Sequence, residues 1–165
     1  MRIRYQRERA RELWPEILPL LELHWQEIAT YADIPLDPDV ERYNSMDDAG
    51  FLRCYTARGE RVEDAGKEIR HIDLIGYSVI SVAANLHYRS SKIAMQDVLF
   101  VHPDYRRTEA GIGLIRFTEA SLCAEGVQVV YQHQKIAHPA LGVVLKRQGY
   151  EEVERIWAKR LDKGD

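Results

Sequence analysis

The stretch that decides the reading is "VHPDYRRTEAGIGLIRF", Val101 to Phe117, preceded by the strand-like run "AMQDVLFV", Ala94 to Val101. Apolar and β-branched residues give way to His-Pro-Asp, two arginines, a Gly-x-Gly and an amphipathic segment. A strand that feeds a glycine turn and then a helix presents unpaired backbone N–H groups, and with the helix dipole these make an anion site. Gly111 and Gly113 would let a bulky diphosphate approach the backbone, and Arg106 and Arg107 would add charge-assisted contacts. The stretch therefore predicts a pyrophosphate cradle. The local pattern alone fits a solvated glycine turn equally well, because short glycine motifs recur by chance. There is no Gly-Lys-Ser/Thr for a P-loop, and the turn comes too late, with too few glycines, for a dinucleotide-binding fingerprint.

Working outward, "RIRY" reads as a short first strand. Leu13, Ile17, Leu20, Leu21 and His24 recur at helical steps from Glu8 to about Ala29, with Pro15 and Pro19 interrupting, so one straight helix is not expected. Asp37 and Pro38 could open a second short helix through "PDVERYNSM". "FLRCYTA" is a strand, "RGERVEDAG" a charged turn, and "HIDLIGYSVISVA" a long strand with Gly76 marking a bulge. "KIAMQDVLFV" is the next strand. The helix after Gly111 carries Leu114, Phe117, Ser121 and Ala124 on one face and ends at Gly126. "VQVVYQH" is a strand, "HPALGVVLKRQGY" a helix stopped by Gly149, and "EEVERIWAKRL" a final strand. The order β-α-α-β-β-β-α-β-α-β predicts a mixed α/β sheet, antiparallel in its first half, with helices on both faces.

The 165 residues suit a single domain, 1–165, with a real core. A net charge of −3 argues against bulk nucleic-acid binding, although five arginines between Arg2 and Arg11 form a solvated basic face. Cys54 and Cys123 are too few for a disulfide framework and read as buried filler. Trp14, Trp25 and Trp157 read as core or half-buried. No apolar run is long enough to span a membrane, and the charged N-terminal residues do not read as a signal peptide, so a cytoplasmic setting is the simplest expectation. His133 and His138 with His71 or His87 lack a carboxylate or cysteine at metal-site spacing, so no metal is expected.

"LFVHPDYRR…GIGLIRF" resembles the coenzyme A-binding segment of the GCN5-related N-acetyltransferases: a strand, Val-x-Pro-x-Tyr-Arg, then Arg/Gln-x-x-Gly-x-Gly/Ala and a helix. "HPALGVVLKRQGY" resembles that family's later segment, Asn-x-x-Ala-x-x-x-Tyr-x-x-x-Gly-Phe/Tyr. More narrowly, "NLHYRSS", "QDVLFVHP", "GVQVVYQHQK" and "AKRL" resemble a branch often carried by phages and prophages. The resemblance implies a mostly antiparallel sheet with a splayed parallel strand pair, and acetyl-coenzyme A lying in the splay. Leu99, Phe100 and Val101 would meet the pantetheine arm, with the backbone of Leu99 and Val101 pairing with it. Arg106, Arg107, Thr108, Ala110, Gly111 and Gly113 would hold the diphosphate, and His138 falls at the Asn position of the later segment. It also implies an amine acceptor. A homodimer is compatible with it.

The chain departs from the pattern twice. "RRTEAGIG" is about two residues longer than the usual turn, so the Arg/Gln position falls on Thr108. Leu145 stands where a tyrosine often protonates the departing thiolate. A thiolate with a pKa of about 8.5 needs little help, and solvent, Tyr131 or His133 could supply the proton. An amine of pKa about 10.4 must lose its own proton before attack, which calls for a base. The resemblance makes Asp97 the first candidate, with His133 second. Each also has a plain structural role open to it: a strand-end ion pair for Asp97, a bonded strand residue for His133, core packing for Tyr131. The expectation is an N-acetyltransferase working by direct attack of a primary amine. The alternative is a non-catalytic module of the same fold that binds coenzyme A or a phage or host protein.

Overall fold

The computed structural model describes residues 1–64 and 68–162, with backbone alone for 61–64 and 68–71. The last two residues of the expected turn "RGERVEDAG", 65 and 66, and the side chain of His71 among the histidines, lie outside the described residues. The chain forms two compact units, Met1–His133 and Gln134–Asp165.

The first unit is built on one five-stranded sheet in sequence order: β1 (Arg2–Glu8), β2 (Leu52–Asp64), β3 (Glu68–Ala84), β4 (Lys92–Val101) and β5 (Val129–Tyr131). The first four pair antiparallel, and β4 with β5 parallel. The charged run "RGERVED" is strand rather than turn, because each of its residues finds a ladder partner on β1 or β3.

On one face lie α1 (Ala10–Ile28) and α2 (Val40–Asp48). Ala10, Leu13, Ile17 and Leu20 bury a helical stripe against Leu52, Cys54, Tyr77, Val79 and Phe100. Both prolines sit inside one continuous helix. They lie a turn apart on its exposed side, where the carbonyls they leave unbonded can meet water. Asp39, not Asp37, caps α2, its side chain accepting the Arg42 N–H at 2.9 Å. Asp47 of α2 caps α1 in turn, accepting the Ala10 N–H at 3.0 Å.

On the other face α3 (Ala110–Ala124) buries Ala110, Leu114, Ile115, Thr118 and Leu122. That stripe is rotated from the expected one, leaving Cys123 exposed instead of filling the core. Gly126, at φ +79°, lets the Val127 N–H return to the Leu122 carbonyl and end the helix.

In the second unit α4 (Ala140–Arg147) ends in the same way at Gly149, φ +90°, with the Tyr150 N–H on the Leu145 carbonyl. Residues 151–160 form no strand, contrary to the expectation. A strand requires a ladder, and this segment has none; Ile156 and Trp157 are exposed, Trp157 at 89%.

Candidate active site

The site is set by where β4 loses its partners. Its parallel ladder with β5 lasts for three pairs, ending at Met95 with Tyr131. β4 itself continues to Val101. Among the described residues no strand pairs with the β5 side of β4 beyond Met95.

Register decides which groups that open edge presents. The His102 N–H bonds the Ile75 carbonyl at 2.8 Å, just outside the Gly76–Val101 pair. By the alternation of an antiparallel ladder, Phe100 then exchanges its bonds with Tyr77, while Leu99 and Val101 turn their N–H and C=O outward. Of the three residues expected at the pantetheine arm, two have outward backbone. Phe100 does not, and its ring is buried beside His24 and Tyr77. Gly76 permits this close pairing, since a Cβ there would lie 2.9 Å from the Phe100 carbonyl oxygen. The bulge expected at Gly76 is one residue earlier: Ala57 and Arg58 of β2 face Gly76 and Leu74, leaving Ile75 as the extra residue.

A second bulge lies inside β4. Val79 and Ile80 face Val98 and Gln96, so Asp97 is the extra residue. The bulge reverses the parity of the strand. Ala94 packs on the α3 side, and so do Leu99 and Val101, whereas Val98 and Phe100 pack on the α1 side. Asp97 meets Tyr43 of α2, whose hydroxyl donates to Asp97 Oδ2 at 2.7 Å. Burial raises the Tyr43 hydroxyl well above the usual phenol range, and the bond to Asp97 raises it further, so Tyr43 stays a neutral donor. A small apolar pocket lined by Trp14, Leu21, Tyr43, Cys54, Tyr77 and Val98 shares Tyr43 with this bond. Burial and then Asp47 push the Cys54 thiol up to about 12, so the pocket holds no thiolate nucleophile.

The turn after β4 is a short 3-10 segment, Pro103–Tyr105, leading to α3. Thr108 closes it: its hydroxyl donates to the Tyr105 carbonyl at 2.6 Å and accepts the Ala110 N–H at 3.2 Å. The Gly113 N–H bonds the Glu109 carbonyl at 2.8 Å. Among the described residues the N–H groups of Gly111 and Ile112 have no hydrogen-bond partner. The two glycines therefore differ. A Cβ on Gly111 would touch only Val101 Cγ2, at 3.8 Å. A Cβ on Gly113 would lie 2.1 Å from the Tyr5 hydroxyl oxygen, so that glycine makes room for the β1 tyrosine, which donates to the Glu109 carbonyl.

The two arginines differ as well. Arg106 is engaged: its guanidinium pairs with Glu27 of α1 at 2.7 Å, donates to the Val101 carbonyl at 2.8 Å and lies over the Phe100 ring. Arg107 is exposed. Tyr131 ends β5 opposite Met95, and the backbone N–H of His133 bonds the Gln96 side chain at 2.9 Å. Asp97, Tyr131 and His133 thus lie in the backbone near where β4 and β5 part, with the Asp97 carboxylate turned to Tyr43. His138 lies in the second unit, its N–H on the Lys135 carbonyl. Tyr43 and Gln96 were missed by sequence reasoning. Nothing local marks them, because each acts through a residue distant in the chain.

Four of the five N-terminal arginines are tied up in ion pairs, Arg4 with Glu60, Arg7 with Glu125, and Arg9 and Arg11 with Asp48. Among the described residues no helix is long and apolar enough to cross a membrane. No group of three metal-ligating side chains is gathered among them.

No protein-family model matches the chain, and no curated protein matches it in sequence. Solved structures do match in fold. An aminoglycoside acetyltransferase from an uncultured soil metagenomic sample, in complex with sisomicin, superposes with a TM-score of 0.70 at 18% identity, over 97% of each chain. The aminoglycoside N-acetyltransferase AAC(6')-Iy in complex with CoA gives 0.71 at 16%, over 98% of this chain and 96% of that one. A ribosomal-protein-alanine N-acetyltransferase from Brucella melitensis biovar Abortus 2308 gives 0.69 at 13%, over 97% and 100%. The chain has the fold of these N-acetyltransferases, a mixed sheet with one parallel pair at its end.

Proposed function

We propose that the chain is an acetyl-coenzyme A-dependent N-acetyltransferase that passes the acetyl group directly to a primary amine. The observation that carries this reading is the open β4 edge beyond Met95, with Asp97 bulged out beside it. Outward N–H and C=O groups of Leu99 suit an extended amide arm, which would add to the sheet as a strand does. Val101 offers its N–H, while its carbonyl already serves Arg106. The unpartnered Gly111 and Ile112 amides suit a diphosphate, with Arg107 and Ala110 alongside. Arg106 serves instead as the tie that fixes this edge to α1.

Asp97 is the general base in this reading. An acceptor amine arrives as an ammonium, and Asp97 takes its proton, directly or through water. Tyr43 orients the carboxylate through its hydroxyl bond. Tyr131 or His133, at the exit of β5, returns a proton to the leaving thiolate in this reading. The neighbours that act on aminoglycosides and on a ribosomal protein share this fold, so the fold leaves the acceptor open among amines. The narrower phage-branch resemblance rests on sequence segments alone.

The test is release of free coenzyme A thiol from acetyl-coenzyme A over a panel of small amines, aminoglycosides and N-terminal peptides. Amine-dependent release, abolished in Asp97→Asn with cofactor affinity retained, supports the reading. The rival, a coenzyme A-binding module without turnover, is favoured by Leu145, buried at the position of the usual tyrosine acid. Tight binding with no release above the buffer rate for any amine would select it.

A further inference from the structure

The β4–β5 ladder ends at Met95 and Tyr131, but the chain leaving β5 stays held. Two residues on, the His133 N–H donates to Gln96 Oε1 at 2.9 Å. Gln96 is only 7% exposed, so its side-chain carbonyl is a buried acceptor committed to the outgoing strand. It stands one residue before the Asp97 bulge and has the parity of Ala94, which packs on the α3 side. Its oxygen therefore lies off the plane of the sheet and farther from its own Cα than a backbone carbonyl oxygen would. A chain caught there cannot continue the ladder along β4.

We propose that Gln96 is the strut of the opening: by holding the His133 amide off the sheet, it sets the gap between β4 and β5 into which the pantetheine arm fits. The nature of the arm rests on the proposed function; the strut rests on the hydrogen bond and the register. The same bond fixes the backbone that carries Tyr131 and His133, so it also sets their distance from whatever occupies the gap. Gln96 is a positioning residue in this account, since it acts through His133. The competing role is purely structural, a glutamine that satisfies one amide and matters for stability alone.

Two variants separate these roles. Q96N keeps the amide but is too short to reach, and Q96E keeps both length and acceptor. Four quantities are read: hydrogen exchange of the His133 amide by NMR, the Kd of coenzyme A by calorimetry, and kcat and KM for acetyl-coenzyme A. In Q96N the His133 amide should exchange about tenfold faster or more, the loss expected for one buried hydrogen bond. Kd and KM should rise by about five- to tenfold with a smaller change in kcat, and Q96E should recover most of each. Unchanged His133 exchange in Q96N overturns the strut. Faster exchange with wild-type Kd and KM shows that the bond does not set the gap and overturns it too, as does Q96E behaving like Q96N. Should Q96N not fold, Q96M, of similar length without a carbonyl, takes its place. If neither folds, Gln96 serves the fold and not the opening, and the proposal falls. A wild-type protein that binds no coenzyme A would instead overturn the proposed function, an outcome distinct from a wild type that binds and a Q96N that binds equally well.

Discussion

At Asp97 one extra residue does two things at once: it turns the carboxylate toward Tyr43, and it moves every later side chain of β4 to the opposite face. Nothing in "AMQDVLFV" announces this, because a bulge is a property of two strands and the sequence displays one. The acidic residue itself was legible, through its resemblance to a family position; its hydroxyl partner was not. Replacing Asp97 with Asn should lower kcat/KM by about a hundredfold or more while coenzyme A affinity stays within a few-fold. Steady-state kinetics and calorimetry on the same variant check it; full activity would move the base role to His133. Tyr43→Phe removes the hydroxyl that bonds Asp97 Oδ2. Its kcat/KM should fall, because the carboxylate loses the bond that orients it. Wild-type kcat/KM in that variant would make Tyr43 a packing residue only.

At the scale of elements, α3 shows how far a motif can be read. The helix and its glycine-bearing start were legible, and so was the Gly126 stop. The division of labour between Gly111 and Gly113 was not, since the residue that needs Gly113 is Tyr5, at the far end of the chain. The contrast is measurable. Gly113→Ala drives a methyl into the Tyr5 ring and should cost about 1–3 kcal/mol in unfolding free energy by denaturant titration. Gly111→Ala has room for its methyl and should hold or raise stability by about 0.5–1 kcal/mol, as alanine does for glycine within a helix. It should nevertheless weaken coenzyme A binding, because the new methyl crowds the approach to the amides. Equal affinity in Gly111→Ala and wild type would place the diphosphate elsewhere. β5 was expected over seven residues and spans three: at its start the Val127 N–H is taken by the Leu122 carbonyl of the helix stop, and past its end the His133 N–H is taken by Gln96.

Over the whole first unit, Arg58 ties three elements together. It stands on β2 and bonds Glu8 at the end of β1 and Glu16 on α1, both through two nitrogens or two oxygens. Burial works against the charge on Glu8, but the Arg58 guanidinium and the Thr56 hydroxyl outweigh it, and the Glu8 carboxyl is held below the ordinary 4.5. A lowered carboxyl contributes stability that is complete above the unfolded-state value and is lost as pH falls through the folded-state one. Arg58→Met should thus cost about 2 kcal/mol at neutral pH, discounted for the exposed Glu16 side, and the gap between variant and wild type should close as pH drops below 4.5. Chemical denaturation at a series of pH values tests it; a gap that persists in acid would assign the loss to packing. The element order as far as α4 and the mixed sheet with helices on both faces followed from the strand and helix patterns and their connections. The last strand did not form, because an apolar–polar alternation at 151–161 says how a strand would face but not what it would pair with.

The central claim is that the free edge of β4 and the first amides of α3 together hold acetyl-coenzyme A. Residue-resolved amide hydrogen exchange, with and without coenzyme A, reads those groups directly. The account predicts slowed exchange at Leu99, Val101, Gly111 and Ile112, with Phe100 unchanged because its amide is already bonded to Tyr77. Exchange at Leu99, Val101, Gly111 and Ile112 that is indifferent to a saturating ligand would contradict it.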